Sequence, residues 1–333
     1  MDLSPIKGAR RPSDVLFVVY NSEFLIDAEH PMLWPFGAEK QRFADYHVLR
    51  VIHDGEKSAV FEAAPAGEIP GVPGKSVAIK LYKPQYDRFI RRLEEKYGIP
   101  SEGEVGRRLN PKTAADTENY PIVITKAEGR EFGKKTGCRY LVLEFVHGVS
   151  LKSLISCRDP RLSARRVGFL ADCCRALHVV HEAGFVCRDF CSQNLMVQPD
   201  GHLKLLDLGF VAPVGLAFPE RSGTPPYMSP EQVAAQPLTP ATDIYSLGIV
   251  LYEILTGALP YVSGITGQDL ESLEARRTEV MQMHLEKPVP QLPSEVQQKS
   301  PRLSAIVTKC LQKDPAARFA SADDLLAALK QPT

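Results

Sequence analysis

The stretch from Cys187 to Asn194 reads Cys-Arg-Asp-Phe-Cys-Ser-Gln-Asn, and the rest of the chain can be understood around it. A run with helical character ends just before it, at residues 181–184. Two short apolar runs follow it, at residues 195–197 and 203–206, and the turn sequence Gln-Pro-Asp-Gly separates them. This pattern predicts a loop held between a helix and a β-hairpin.

Polar side chains in and just after this loop indicate that it carries chemistry. Asp189 and Asn194 lie five residues apart, and Asp207 opens the sequence Asp-Leu-Gly directly after the predicted hairpin. Because the hairpin returns the chain to its starting point, we expect two carboxylates and one amide oxygen to lie within reach of one another. Oxygen ligands of this kind suit a divalent metal ion that holds phosphates. The loop therefore predicts a metal–phosphate site.

Length and charge bound the class of protein. The chain has 333 residues, which is enough for one large two-lobed domain or two ordinary ones. It carries 40 basic and 40 acidic residues, so no overall field favours nucleic acid or a membrane surface as the main partner, and we expect neither. The longest apolar run near the N-terminus, residues 15–20, has the length of a strand, so we expect no export signal, no membrane span and a cytoplasmic location.

Seven cysteines are present, without the paired spacing of a zinc ribbon. We interpret them as reduced, structural thiols of a cytosolic protein. Cys187 and Cys191 lie four residues apart in the central loop, and a metal pair or a redox switch is the alternative interpretation there. Both alternatives require further partners.

The pattern divides the chain into three segments: an extension at residues 1–44, a β-rich segment at 45–146 and a helical segment at 147–330. The extension contains one β-like run and an apolar cluster around the single Trp34. We expect it to pack on the body of the protein, because a lone Trp is usually a packing anchor. A docking segment for a partner is the alternative.

Within the β-rich segment, strands are predicted at 46–52 and 59–64 around a turn at 53–58, and further strands at 76–82, 121–126 and 139–145. Alternation along the third strand puts Lys80 on the face opposite Ile79. Residues 85–110 show helical spacing with an interruption at Gly98, which predicts two helices, the second starting near Ser101. After the last of these strands and the linker that ends at Gly148, the pattern up to residue 184 is helical. We expect the ligand site in the cleft between the two parts, near a linker at 146–148.

Taken together, these stretches resemble the eukaryotic-type (Hanks-type) serine/threonine protein kinases, and the bacterial members in particular. The resemblance covers about residues 46–330 and consists of six motifs that occur in the family's order. They are Val77-Ala78-Ile79-Lys80, Arg188-Asp189 with Asn194, Asp207-Leu208-Gly209, Ser229-Pro230-Glu231, the run from Asp243 to Gly248, and Arg318. The resemblance implies an α+β, bilobal protein-kinase fold with a β-rich N-lobe and a helical C-lobe.

The resemblance also assigns roles in phosphoryl transfer. Asp189 is expected to orient the substrate hydroxyl and accept its proton, and Lys80 to clamp the α- and β-phosphates. Glu102 is the expected helix partner of Lys80, with Glu104 as the alternative.

ATP and Mg²⁺ are the implied cofactors, and Asn194 and Asp207 are the implied metal ligands. The other expected nucleotide-binding residues are Gly55, Val60 and Ala78, with Lys80, the gatekeeper Leu143, and the main chain of Glu144 and Val146.

The predicted lid over the phosphates departs from the family pattern. Aligned back from Val60, the expected Gly-x-Gly-x-x-Gly-x-Val is represented by His53, Gly55, Ser58 and Val60. Only the middle glycine remains. We therefore expect side chains near the phosphates, a stiffer lid, and weaker nucleotide binding or slower turnover.

The catalytic loop departs from the pattern twice. Cys187 replaces the usual His, a change that we expect to be tolerated. Cys191 stands two residues after Asp189, where serine/threonine kinases resemble one another in carrying a Lys on the transferring phosphate. Losing that charge slows transfer unless another cation takes its place, and Lys57 in the lid is a candidate.

Ahead of the Ser229-Pro230-Glu231 motif, the activation segment (residues 207–231) has three hydroxyl side chains, Ser222, Thr224 and Tyr227. Thr224 resembles the threonine that contacts the catalytic Asp, so we interpret it as structural. Ser222 is then the expected phosphorylation site and Arg188 the cation that binds its phosphate. A segment ordered without phosphorylation is the alternative.

Two further motifs have structural interpretations. Asp243 lies near a predicted helix start, where an Asp is often a cap, and the family implies that it also anchors the catalytic loop. Glu231 and Arg318 are expected to form a buried structural pair.

We expect an active serine/threonine protein kinase that transfers the γ-phosphate of ATP to protein hydroxyls. The rival hypothesis is a catalytically weak, kinase-like scaffold that binds nucleotide or protein partners, and a small-molecule kinase is a third. Retention of Lys80, Asp189, Asn194 and Asp207 together favours the enzyme. Thr224 and the Ser-Pro-Glu motif favour protein substrates.

Overall fold

The computed structural model describes residues 42–43, 45–66, 76–117, 119–130, 138–218 and 222–330. The β-like run and the Trp34 cluster of the predicted extension lie outside these residues, as does most of the Pro/Gly-rich connection before residue 76. None of the helices in the described ranges has both the length and the apolar character that crossing a membrane requires.

The N-terminal part of the described chain is built on one antiparallel sheet with the strand order β1-β2-β3-β4-β6-β5. Its strands are β1 (Arg42–Phe43), β2 (Tyr46–Asp54), β3 (Ser58–Pro65), β4 (Val77–Tyr82), β5 (Thr125–Gly129) and β6 (Tyr140–Glu144). Two helices, α1 (Pro84–Tyr97) and α2 (Glu102–Leu109), connect β4 to the later strands. The sheet encloses a small apolar core around Ile79 and Val142.

The C-terminal part is helical and also contains one three-stranded and one two-stranded sheet. Its helices are α3 (Leu151–Ser156), α4 (Pro160–Glu182), α5 (Pro230–Val233), α6 (Pro240–Thr256), α7 (Leu270–Glu286), α8 (Ser294–Lys299), α9 (Pro301–Cys310) and α10 (Ala322–Lys330). Its strands are β7 (Val149–Ser150), β8 (Phe185–Val186), β9 (Leu195–Val197), β10 (Leu203–Leu205) and β11 (Ala212–Pro213). This sheet-plus-helix architecture confirms the predicted α+β class.

Helix α6 is the centre of the helical part. Buried side chains occur on every face of it, which is the pattern of a helix enclosed by protein. Tyr245 and Ile249 of α6 belong to the same apolar cluster as Phe169 and Leu177 of α4. The central loop at residues 187–194 therefore stands on a rigid base.

The predicted break between the two N-terminal helices is confirmed, and local sequence explains it. Gly98 ends α1 with a left-handed φ of 63°, a conformation that glycine adopts without steric cost. Pro100 follows, and the Ser101 side chain then caps α2 by accepting the Glu104 N–H. These signals place Glu102 at the first position of α2.

Three predicted boundaries were wrong. The first hairpin has a tighter turn than expected, because His53 and Asp54 stay in β2 and pair with Val60 and Ala59. The strand predicted at 121–126 begins only at Thr125, since the residues before it bond instead to Leu205 of the helical part. The stretch predicted as helical up to residue 184 contains the short strand β7 and a break between α3 and α4.

Candidate active site

Three charged side chains meet between the sheet and the helical part. Lys80 lies on β4, flanked in the ladder by Val60 of β3 and Leu141 of β6. Its Nζ donates to both carboxylate oxygens of Glu102 at 2.9 Å and to Oδ1 of Asp207 at 3.0 Å. All three residues are buried. The cluster therefore fixes the Lys80 ammonium from two directions.

The geometry distinguishes between the two glutamates considered as partners of Lys80. Glu104 is half-buried and forms an ion pair with Arg108 one turn along α2, so its carboxylate is engaged on α2 and not by Lys80. Glu102 lies on the buried face of the same helix. The Lys80–Glu102 contact is the arrangement expected from the sequence, whereas the alternative contact with Glu104 does not form.

Tyr82 is a neighbour of Glu102 that the sequence analysis missed. It is buried, and its hydroxyl donates to Oε2 of Glu102. The guanidinium of Arg139 lies 5.7 Å from the centroid of the Tyr82 ring, and Arg139 also pairs with Glu94 of α1. Tyr82 therefore links the Lys80–Glu102 pair to the helix that precedes α2. Its position two residues after Lys80 on the same strand face was the available signal.

The carboxylate of Asp189 is held by two donors. The Asn194 side-chain amide donates to Oδ2 of Asp189 at 3.0 Å, and the Thr224 backbone N–H donates to Oδ1 at 2.7 Å. Asp189 and Asn194 are both buried. Because both carboxylate oxygens accept hydrogen bonds, the side chain has one defined orientation at the base of the cleft.

Asp243 anchors the backbone of the catalytic loop. Its carboxylate accepts the N–H groups of Cys187 and Arg188 at 2.8 and 2.9 Å, and it also contacts Nε2 of His181 at 2.8 Å. Arg188 has a left-handed φ of 67°, a conformation that costs a non-glycine residue about 1 kcal/mol. The Asp243 bonds offset this cost. Asp243 does not cap α6, because Thr239 occupies that position.

Asp207 and Asn194 have the chemistry of a divalent-metal site. Oδ1 of Asp207 accepts bonds from Lys80 and from the Gly209 N–H, and no described residue donates to its Oδ2. The Asn194 amide nitrogen is committed to Asp189, which leaves the amide oxygen for a cation. One carboxylate and one amide oxygen fit Mg²⁺, which typically takes one or two protein ligands and completes its shell with phosphates and water.

The electrostatics of Asp207 agree with this fit. Burial raises the pKa of Asp207 to about 6, against the opposing effect of the Gly209 hydrogen bond. A cation at the carboxylate removes the cost of burying its charge. Glycine at position 209 leaves room for the Glu102 and Asp207 carboxylates beside the backbone. A Cβ there would lie 2.9 Å from Oε2 of Glu102 and 3.1 Å from Oδ1 of Asp207.

An apolar cluster lines the cleft beside this site. Leu143 and Val146 are buried in it, and Ala78 is partly buried against it. Met196 of β9 and Leu206, just after β10, complete the cluster from the helical part, and neither was predicted. A wall of this kind suits a planar aromatic ring between the two parts of the protein. The signal for Met196 and Leu206 was their place on either side of the predicted hairpin turn.

Two further residues predicted to bind nucleotide lie on β3 and in the turn before it. Val60 faces Lys80 across the β3–β4 ladder, and Gly55 lies in the turn between β2 and β3. Neither belongs to the apolar cluster. The Glu144 side chain accepts from the Ile124 N–H and from Lys204, so it stabilises the linker strand at the point where the two parts join.

Comparison with known proteins identifies the family. The model for the protein kinase domain matches residues 116–329, which is more than half of the chain. The chain belongs to the protein kinase family. The matched residues include the catalytic loop, Asp207 and Arg318, whereas Lys80 and Glu102 lie before them.

Curated relatives include bacterial serine/threonine kinases. The chain is 30% identical over 284 residues to the serine/threonine-protein kinase PknA of Mycobacterium tuberculosis, covering 83% of this chain and 58% of the relative. It is 28% identical over 291 residues to the serine/threonine-protein kinases drp72 of Corynebacterium efficiens, covering 86% and 50%. It is 33% identical over 220 residues to PknB of Mycolicibacterium smegmatis, covering 63% and 33%. The chain thus spans from a third to just over half the length of these relatives. The resemblance to bacterial Hanks-type kinases is confirmed.

The lid of this kinase domain is filled by side chains, as expected from its lost glycines. The His53 imidazole lies over Gly55, where an added Cβ would be only 2.3 Å from its Nε2. Burial lowers the pKa of His53 below its ordinary value. The turn closes on a hydrogen bond from the Gly55 N–H to the Ser58 carbonyl at 3.0 Å.

Both cysteines of the catalytic loop are buried and bear no charge. Burial raises the pKa of the Cys187 thiol and of the Cys191 thiol well above the ordinary range, with Asp243 and Asp189 respectively as the next cause. The Thr224 hydroxyl lies 3.9 Å from Sγ of Cys191 as a donor. The described residues contain no group of three or more His, Cys, Asp or Glu that suits a metal ion. These features favour structural thiols.

The activation segment contacts both the catalytic loop and α1. The Arg188 guanidinium donates to Oγ of Ser222 at 2.7 Å and lies 3.9 Å from the centroid of the Phe218 ring. Phe218 in turn contacts the Tyr97 ring of α1, with 5.0 Å between centroids. Ser222 and Arg188 thus lie side by side, as the predicted phosphate switch requires.

A buried ion pair stabilises the lower end of this segment. Arg318 donates to both carboxylate oxygens of Glu231 at 2.7 and 2.9 Å, and also to the Ala241 carbonyl. The pair is buried on both sides. Its further hydrogen bonds satisfy the guanidinium, which is what a buried pair needs if it is to hold a structure together.

Proposed function

We propose that this chain is an ATP-dependent serine/threonine protein kinase that uses Mg²⁺. The observation that carries the proposal is the junction of the Lys80–Glu102–Asp207 cluster with an Asp189 carboxylate oriented by two donors. Phosphoryl transfer needs positioned charge more than covalent chemistry, and these residues supply it.

In the proposed reaction, the hydroxyl oxygen of a substrate Ser or Thr forms a bond to the γ-phosphorus of ATP. The bond from that phosphorus to the β,γ-bridging oxygen breaks, and ADP leaves with the electron pair. Asp189 orients the hydroxyl and accepts its proton. Lys80, fixed by Glu102, holds the α- and β-phosphates. Asp207 and Asn194 would hold Mg²⁺, which would supply positive charge to the phosphates.

Apolar contacts supply the adenine site of the proposal. Ala78, Leu143 and Val146 belong to the apolar cluster in the cleft. By the resemblance, the main chain of Glu144 and Val146 would contact the edge of the ring. Gly55 and Val60 belong to the lid. The three segment boundaries at 44/45, 146/147 and 330, the cytoplasmic location, and the role of the extension in docking partners all stay predictions.

The rival function is a kinase-like scaffold, and the uncharged Cys191 and the filled lid are the observations that favour it. Against it, a scaffold has no chemical need for Lys80, Asp189, Asn194 and Asp207 together. The experiment that separates the two uses purified protein with labelled ATP, Mg²⁺ and a generic basic protein substrate. An Asp189→Asn variant serves as the control, because it keeps the shape of the site and loses the base.

Transfer of label by the unaltered protein alone supports the kinase. Intact nucleotide binding with no transfer by either protein supports the scaffold. Labelled small molecules in place of labelled protein support a small-molecule kinase of related fold.

A further inference from the structure

The catalytic loop lacks a cation next to the transferring phosphate. Cys191 is 1% exposed, and Ser192 hydrogen-bonds to the Tyr227 hydroxyl at 2.9 Å. Lys80 is engaged by Glu102 and Asp207, and Arg188 by Ser222 and Phe218. Any further positive charge at the γ-phosphate, beyond Lys80 and the implied Mg²⁺, would therefore come from outside the catalytic loop.

Lys57, at the turn between β2 and β3, brings its ammonium into this cleft. Its Nζ lies 4.5 Å from the centroid of Phe210, the residue directly after the Asp-Leu-Gly motif, and 5.7 Å from the centroid of Tyr86 on α1. Both distances are typical of cation–π contacts. Among the described residues it forms no salt bridge. The charge of Lys57 is thus held inside the cleft by two aromatic faces.

A backbone hydrogen bond and the charge of Asp189 both place Lys57 close to the catalytic centre. Its carbonyl accepts the Lys83 N–H at 2.9 Å, which fixes the turn against the start of α1. Burial lowers the pKa of the Lys57 ammonium, and the charge of Asp189 is the main opposing influence. An ammonium near the catalytic carboxylate, without a carboxylate partner of its own, is suited to an incoming phosphate.

We propose that Lys57 is the cation that contacts the γ-phosphate during transfer, in place of the lysine missing at Cys191. Lys57 forms no covalent bond in this role. It neutralises charge that develops on the phosphate oxygens while the hydroxyl oxygen bonds to phosphorus and ADP departs. The inference rests on the proposed phosphotransferase function.

The first test compares Lys57→Met with a matched control, Lys83→Met. Lys83 directly precedes α1, and its ammonium pairs with Asp54 of β2 at 3.0 Å. Removing one charge contact from a transition state costs about 100-fold in favourable cases, so Lys57→Met is expected to lower kcat by about 10- to 100-fold. Lys83→Met is expected to stay within about twofold of the unaltered protein, because the Lys83 ammonium is committed to Asp54 and the backbone N–H that bonds to Lys57 is kept.

The second test measures binding rather than turnover. The proposed contact is with the γ-phosphate, so Lys57→Met is expected to weaken binding of ATP with Mg²⁺ by about 3- to 10-fold. The affinity for ADP, which lacks that phosphate, is expected to change by less than about twofold. Isothermal titration calorimetry gives both values. If the unaltered protein transfers no phosphate but this selective loss appears, the proposed function fails and the Lys57 contact stands.

A rescue variant gives the sharpest result. Adding Cys191→Lys to Lys57→Met puts a lysine back into the catalytic loop and is expected to recover at least about tenfold of the lost kcat. Circular dichroism and thermal unfolding check that the double variant is folded, and Lys57→Arg is the conservative variant that is expected to keep most of the rate.

Several outcomes overturn the proposal. One is a kcat of Lys57→Met within twofold of the unaltered protein, and another is an equal loss in Lys83→Met. A third is an equal weakening of ATP and ADP binding. Arg277 of α7 is the rival cation, since its charge also acts on Lys57. A selective loss in Arg277→Met with none in Lys57→Met assigns the contact to Arg277 instead.

Discussion

Replacing Asp207 with Asn is expected to stabilise the nucleotide-free protein at neutral pH. The Asp207 carboxylate is buried, and its pKa is raised to about 6 from an ordinary value of 3.8. The folded state therefore binds this proton more tightly than the unfolded state does. Stability falls as the pH rises from about 4 to about 6, and it remains reduced above that range.

The size of the effect follows from the shift. A difference of about 2 pKa units corresponds to about 3 kcal/mol of unfolding free energy at pH 7.5. Asn carries no charge, so it avoids this cost, but the hydrogen bonds from Lys80 and Gly209 to Oδ1 are weakened by about 1 kcal/mol each. The net expectation is that Asp207→Asn is more stable by about 1 kcal/mol at pH 7.5, and that this gain disappears near pH 5.

Urea unfolding between pH 5 and pH 8, without nucleotide, measures the difference. Asp200→Asn is the matched control, because Asp200 lies in the exposed turn between β9 and β10. Mg²⁺ with ATP is expected to stabilise the unaltered protein and not the Asp207→Asn variant, since ligand binding to the folded state alone raises stability. The reasoning would be refuted if Asp207→Asn were less stable than the unaltered protein, and by the same amount at every pH between 5 and 8.

Three further predictions concern residues around the site. Tyr82→Phe removes the hydroxyl that orients Glu102, so kcat is expected to fall by about 3- to 10-fold while ADP affinity is unchanged, as steady-state kinetics and calorimetry will show. Phosphorylated Ser222 is expected to accept a charge-assisted hydrogen bond from Arg188 and to slow proteolysis of the activation segment. Phosphopeptide mapping and limited proteolysis check this. An active preparation without phosphate on Ser222 contradicts the switch. Burial lowers the pKa of His284 to about 3, so the neutral imidazole makes its full contribution to stability above pH 6.5. The free energy of unfolding is expected to fall by about 2 kcal/mol by pH 5, and this loss should be smaller in His284→Gln.

Motifs whose function depends on local order were visible in the sequence. A hairpin of only a few residues brings Asp189, Asn194 and Asp207 close together, and the turn sequence predicts that hairpin. Gly98 and Ser101 similarly set the start of α2, and hence the position of Glu102. These locally predicted elements form in the folded protein because the tertiary contacts favour the same local conformations.

Contacts that depend on the packing of distant segments were not visible. The Tyr82 hydroxyl contacts Glu102 only because α2 packs against the sheet, at β5, and nothing in the strand pattern identifies that partner. Residues 121–123 read as strand, but they pair with Leu205 across the junction instead of extending β5. The packing of Tyr97 on Phe218, which joins α1 to the activation segment, has no sequence signal at all.

The phosphorylation chemistry itself is tested most directly by a single-turnover measurement on the unaltered protein and on Asp189→Asn. Both are mixed in excess over labelled ATP with Mg²⁺ and a protein substrate, and ATP affinity is measured in parallel. Loss of a general base typically costs about 100- to 10,000-fold, so the rate of transfer to Ser or Thr is expected to fall by at least about 100-fold. ATP affinity is expected to stay within about threefold. Equal transfer by the two proteins, or none by the unaltered protein with tight ATP binding, contradicts the account.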